Sequence, residues 1–172
     1  VECIHAYTLI HDDLPCMDND DMRRGKLSAH KKFGESTAVL AGNSLLTLAF
    51  EILSNKNLKI SDNKKILLVN HISNCSGHEG VAGGQYSDLN FENKKISLNK
   101  IKDMQVKKTG KLFSFCCVAP LIIVNKYNLT SKFKKIGEDI GLLFQIADDL
   151  IDFRGSSKIA GKKTGKDQKK GK

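Results

Sequence analysis

The chain reads as an all-α protein, a single large helical bundle around a deep central cavity, and three observations lead there. No segment alternates apolar and polar residues persistently enough to argue a sheet, and no internal repeat is visible. Several stretches of helical length begin at cap residues and carry apolar side chains at helical spacing. Two aspartate clusters, Asp12-Asp13-Leu14-Pro15-Cys16-Met17-Asp18 and Asp148-Asp149-Leu150-Ile151-Asp152, lie in or beside apolar, helix-like sequence. Unpaired charge is costly there unless a cation neutralises it. The architecture expected has the two aspartate helices facing each other across the cavity, with a polar mouth over an apolar depth. The 172 residues can bury one sizeable core, and nothing divides them into two domains.

The elements follow in order. Residues 1–13 form the helix that delivers the first cluster; Pro15 cannot continue it, so Asp18 falls in a loop folding back. Residues 36–53 form a helix with Ala38, Leu45, Leu48, Ala49 and Ile52 inward, and 61–75 another, begun by Ser61 as N-cap with Asp62 in its first turn. Residues 77–91 read as a helix loosened by Gly80, Gly83 and Gly84, whose missing side chains let neighbours approach; Gln85 and Asp88 lie on it with no role that the sequence assigns. Residues 98–124 form a long helix bending at Pro120, with Lys108 and Thr109 at its middle. Residues 130–153 start at a capping Thr130 and end with the second cluster, and 155–172 form a loop-like tail.

On a helix, Asp148, Asp149 and Asp152 project toward one face. Like charges so close repel, and the array makes sense around Mg2+, which takes oxygen ligands and is held by one or two carboxylates together with waters and substrate phosphates. After the first cluster come Arg23 and Arg24, whose forked donors suit phosphate oxygens, and Gly25, which lets the backbone turn beside them. An acidic triplet alone is usually a solvated face. Two such clusters, one followed by an arginine pair, point to a metal–diphosphate site.

These residues resemble the short-chain trans-prenyl diphosphate synthases, nearest to the bacterial branch that makes the fifteen-carbon product. The resemblance rests on the stretch from Glu2 to Gly42, with His11-Asp12-Asp13 through Asp18, Met22-Arg23-Arg24-Gly25-Lys26 and Lys32-Phe33-Gly34-Glu35. It continues through Gly83-Gly84-Gln85 with Asp88-Leu89, Lys108-Thr109-Gly110, Phe144-Gln145-Ile146-Ala147-Asp148-Asp149 with Asp152, and Gly161-Lys162 with Gly165, Asp167 and Lys172. In that family an allylic diphosphate ionises with the help of Mg2+, and the allylic cation is attacked by the double bond of isopentenyl diphosphate. The resemblance implies metal ligation, by three Mg2+ ions bound with the diphosphate, at Asp12, Asp13, Asp18, Asp148, Asp149 and Asp152. It implies that Arg23, Lys108 and Lys162 hold the allylic diphosphate and Arg24 reaches toward isopentenyl diphosphate. Thr109 and Gln145 stand beside the reacting carbons, and Lys172 closes over the diphosphates. The family's pocket floor lies five positions before the first aspartate, here Tyr7, and an aromatic ring there halts growth at farnesyl diphosphate because a further isoprene unit would overlap it. A geranylgeranyl-forming member and a non-catalytic partner subunit stay open as the alternatives, the intact aspartate clusters counting against the latter; the second cluster is unlike the metal motif of terpene cyclases.

The chain starts without an initiator Met, stops inside a motif and has no counterpart of the family's early Gly-Lys-Arg segment, which implies an internal piece of a longer enzyme lacking its N- and C-terminal helices. The resemblance further implies a homodimer at full length. Net charge is +9, but eight basic residues and one acid fall in the last nineteen positions, without aromatics for base stacking, so the tail suits diphosphates and not nucleic acid. Five cysteines without paired spacing fit a reducing, cytoplasmic setting, with Cys16 filling space and His5 and His11 as polar wall residues. The longest apolar run, 112–124, is shorter than the roughly twenty residues a bilayer requires, so no membrane span is expected.

Overall fold

A computed structural model describes residues 1–154. Helices α1 (Glu2–Asp12), α2 (Ala29–Phe33), α3 (Glu35–Ser54), α4 (Asp62–Ser76), α5 (Val81–Phe91), α6 (Leu98–Gln105), α7 (Lys111–Ile123) and α8 (Thr130–Arg154) make up the all-helical bundle, with a small ribbon of β1 (Met22–Arg23) and β2 (Lys26–Leu27) after α1. The core joins α1, α3, α4 and α7 through Ile4, Ala49, Leu68, Ile72, Cys75, Phe115, Val118 and Ile122. α8 lies along α7 and reaches the cavity at its C-terminal end.

α1 stops as Pro15 requires. The Leu14 amide bonds back to His11, and the amides of Asp18 and Asn19 close onto Asp12 and Leu14. The chain then turns through the ribbon, pairing Met22 with Leu27 and Arg23 with Lys26. Its two-residue turn places Arg24 at φ 51° and Gly25 at φ 75°, the left-handed pair that matches the twist of a hairpin. The sequence indicated the turn but not the ribbon, because two-residue strands leave no periodicity to read.

Three expectations differ in detail. The long 98–124 helix is interrupted not at Pro120, which lies within α7, but at Val106–Gly110, a π turn. In α3, Ala38 and Ala49 are buried as read, together with Gly42, but Leu48 and Ile52 are 38% and 48% exposed. α3 packs chiefly on α1, α2 and α4 among the described residues, which covers its small-residue side. Thr130 opens α8, yet its hydroxyl donates to the Tyr127 carbonyl and secures the preceding turn instead of capping a helical amide. Among the described residues α3 is also the one helix whose length and composition could cross a bilayer, although Asn43, Ser44 and Thr47 interrupt its apolar run.

The α7–α8 contact is made by backbone. A Cβ on Gly137 would lie 2.4 Å from Ser114 Cα and 2.7 Å from its amide nitrogen. Alanine generally favours a helix interior over glycine by about 1 kcal/mol, yet here Gly137→Ala should destabilise the fold by about 1–3 kcal/mol through overpacking. Urea denaturation measures this, and a stabilised variant would contradict so close an approach.

Candidate active site

The bundle encloses a cavity of about 1500 Å3 between α1, the loop after it, α5, the π turn and α8. Asp12, Asp18, Asp88, Asp148 and Asp149 line it, as do Arg23, Arg24, Lys108, Thr109 and Gln145. Leu9, Val81, Leu112, Phe113 and Phe144 supply apolar wall, and Tyr7 lines the cavity while packing against the core. Both aspartate helices therefore open onto one space. A charged surface beside a long apolar wall suits a ligand with an anionic head and a hydrocarbon tail.

Asp13 stands apart from the other carboxylates. Only 2% exposed, it accepts bonds from Arg23 Nε to Oδ1 (3.1 Å) and Oδ2 (3.3 Å) and from Arg23 Nη2 to Oδ1 (2.5 Å). Burial opposes the charge on Arg23, but its bonds and attraction to Asp13, then to Asp12 and Asp18, more than offset this and hold the guanidinium above its ordinary value. The resemblance implied metal at Asp13 and diphosphate at Arg23; here the two side chains bond each other. Arg24, displayed by the hairpin turn, extends a guanidinium nitrogen to 3.4 Å from His5 Nε2.

The π turn delivers the opposite wall. Its extra residue widens the helix at Val106–Gly110, where Lys108 and Thr109 sit at the cavity. Gly84 makes room for this, since a Cβ there would fall 2.2 Å from the Lys108 amide nitrogen. Lys108 Nζ donates to Asp88 Oδ2 at 2.7 Å. Desolvation pulls the Lys108 ammonium down, while Asp12 and Asp88 together outweigh it, so its pKa lies above the usual lysine value. Thr109 Oγ1 donates to Gln145 Oε1 (3.1 Å), Gln145 Nε2 donates to Asp149 Oδ1 (2.8 Å), and Gln105 Nε2 donates to Asp149 Oδ2 (3.0 Å). This relay fixes the Gln145 amide so that its oxygen faces Thr109.

Asp88 and Gln105 are the site residues to which the sequence assigned no role. Asp88 lies four positions after Gly84, on the same face of α5, and that spacing is the signal that links it to the lysine packed over Gly84. Gln85, whose amide atoms are buried without a hydrogen-bond partner among the described residues, also borders the cavity. Asp152 lies on α8, with its side chain outside the described residues, as are Lys162 and Lys172. Among the described residues no three His, Cys, Asp or Glu side chains form a ready metal cage. Paired carboxylates with room for waters and phosphate oxygens are the donor chemistry that suits a hard divalent cation without such a cage.

Comparison with known proteins agrees with this architecture. A profile of the polyprenyl synthetase family matches residues 1–172, and the chain belongs to that family. It is 44% identical over 169 residues to farnesyl diphosphate synthase of Bacillus subtilis, covering 97% of the chain and 57% of that relative. A crystal structure of an FPP/GFPP synthase from Zymomonas mobilis matches with TM-score 0.84 at 44% identity, over 92% of this chain and 58% of the other. A geranyltransferase from Helicobacter pylori, complexed with magnesium and isoprenyl diphosphate, matches with TM-score 0.87 at 38% identity, over 95% and 54%. The chain thus spans little more than half the length of these relatives.

Asp12 and Asp13, neighbours in sequence, should respond oppositely to neutralisation. Burial, together with Asp18 and Asp88, pushes the Asp12 carboxyl up to about 6 against the pull of Lys108 and Arg23. The folded state therefore binds this proton more tightly than the unfolded chain, whose carboxyl titrates near 3.8; the resulting stabilisation is full below that value and lost as pH rises through about 6. Asp12→Asn should raise the metal-free Tm at pH 7.5 and leave it nearly unchanged at pH 4. Asp13→Asn strands a part-buried guanidinium and should cost about 2–3 kcal/mol at pH 7.5. Thermal and denaturant unfolding of both variants at the two pH values checks the signs.

Proposed function

We propose that this protein is a prenyltransferase that condenses isopentenyl diphosphate head-to-tail with an allylic diphosphate, dimethylallyl and then geranyl, releasing diphosphate and giving farnesyl diphosphate. The observation that carries this reading is the single cavity onto which both aspartate clusters, Lys108, Thr109 and Gln145 open, with Tyr7 in its apolar wall. Mg2+, three ions in this reading, would be held through Asp12, Asp18, Asp148, Asp149 and Asp152 and would supply charge neutralisation to the departing diphosphate.

The chain's own residues do the rest. Lys108, kept cationic by Asp88 and Asp12, binds the allylic diphosphate and stabilises negative charge as the carbon–oxygen bond breaks. Arg23 and Arg24 both line the cavity and are read as meeting the allylic diphosphate and isopentenyl diphosphate respectively. Asp13, buried away from the cavity, acts here by aiming Arg23 and not as a metal ligand. Thr109 and Gln145, their orientation set by the relay to Asp149, present oxygens to the allylic cation. The cation is captured by the isopentenyl double bond and the adduct loses a proton, so no nucleophilic side chain is required. Lys162 and Lys172 are read as closing over the diphosphates, and Tyr7 as ending the space for the growing tail. The five free cysteines are compatible with a reducing compartment, read here as the cytoplasm, and the complete protein is read as a homodimer.

Product analysis with both diphosphates and Mg2+, on the chain alone and on a version completed with flanking regions from its relatives, tests the proposal. Farnesyl diphosphate from the completed protein, lost in Asp12→Ala, is the expected result. Twenty-carbon product would retain the chemistry and shift the reading to a geranylgeranyl-forming member. Absence of any condensation would overturn it.

A second check needs no turnover. Metal binding requires the Asp12 carboxylate, so the rise in Tm produced by Mg2+ with diphosphate should grow as pH increases through about 6. A pH-independent rise would place the cation elsewhere.

A further inference from the structure

The Tyr7 ring does not rest on the apolar core alone. It meets His11 edge-on, the ring centroids 4.9 Å apart and the planes at 79°, and both side chains line the cavity. His11 is one turn further along α1 and is gripped from α3. Its Nε2 lies 3.2 Å from the Val39 carbonyl oxygen, a contact in which the imidazole N–H donates. Its ring lies so close to Gly42 that a Cβ there would fall 2.1 Å from Nε2 and 2.4 Å from Cδ2. Gly42 is buried at the α1–α3 contact, and only the missing side chain leaves room for the imidazole.

We propose that His11, seated on Gly42, is a specificity-determining positioning residue: it braces Tyr7 from the side of α3 and so sets how deep the cavity runs and how long a product it admits. This rests on the reading of Tyr7 as the end of the tail-binding space. A tyrosine on a helix can rotate about two side-chain torsions, and the direction it takes is decided by what occupies the space around it. With the imidazole removed, the phenol ring can turn into the emptied seat and the cavity deepens. With a methyl group added at Gly42, the imidazole must leave its seat toward Tyr7 and the cavity, and the space shortens.

The test is the carbon-number distribution of products formed by the completed protein from isopentenyl and dimethylallyl diphosphates with Mg2+. The parent is compared with Tyr7→Ala, His11→Ala, the double variant and Gly42→Ala. The distribution is read on whatever product forms, so a slower rate does not disturb it. His11→Ala should raise the twenty-carbon fraction at least threefold, in the same direction as Tyr7→Ala, with little further change in the double variant. Gly42→Ala should instead enrich the ten-carbon product. If Tyr7→Ala lengthens the product and His11→Ala leaves it unchanged, the brace is overturned while Tyr7 keeps its role. If neither lengthens it, the assignment of Tyr7 falls and the brace with it. Should His11→Ala fail to fold by circular dichroism, Gly42→Ala decides: a shift to shorter product supports the brace, and an unchanged distribution overturns it.

Discussion

The structure depends on neutralising carboxylates that face one another across a partly desolvated cavity. Ionised groups withdrawn from water are tolerated when opposite charge and hydrogen bonds replace the lost hydration. The irregular parts of the backbone supply those partners. The hairpin after α1 carries Arg23 to Asp13, and the π turn carries Lys108 to Asp88 and Thr109 to Gln145. At Asp12 compensation is incomplete, and burial with Asp18 and Asp88 pushes the carboxyl up to about 6. Raised affinity for a proton is also a measure of how much a divalent cation would relieve at that position.

Close backbone contacts make this arrangement possible. Gly84 lets α5 come against the π turn, Gly137 and Gly141 let α8 come against α7 and that same turn, and Gly42 lets α3 receive the His11 ring. Gly84, Gly137 and Gly141 stand where a methyl group would push apart two elements that carry cavity residues, and Gly42 stands behind the cavity-lining His11. Packing and the placement of charge are therefore coupled: the turn that bears Lys108 and Thr109 is held between α5 and α8.

Much of this was readable beforehand. The convergence of both aspartate clusters was implied by the family resemblance, while the helix bearing Asp12, the break at Pro15 and the turn at Gly25 followed from local rules of helix geometry and proline stereochemistry. The exchange of partners between Asp13 and Arg23 did not, because adjacent aspartates are equivalent on paper and differ only in which side of α1 is covered. Nor did the outward position of Leu48 and Ile52, since an apolar side chain says that it can be buried and not that a neighbour is present to bury it. Nor did the π turn, whose close packing partners Gly84 and Gly141 are remote from it in sequence.

By itself, the sequence determined the helical class, the extent of most helices and the inventory of charged groups at the cavity, because helix periodicity, chain-breaking residues and side-chain chemistry act over one or two turns. Only the tertiary structure decided which carboxylate meets which cation, where the long helix widens, and that Tyr7 leans on His11 while His11 leans on Gly42. These depend on distances between residues far apart along the chain, fixed only when whole helices pack and leave each side chain a single space to occupy.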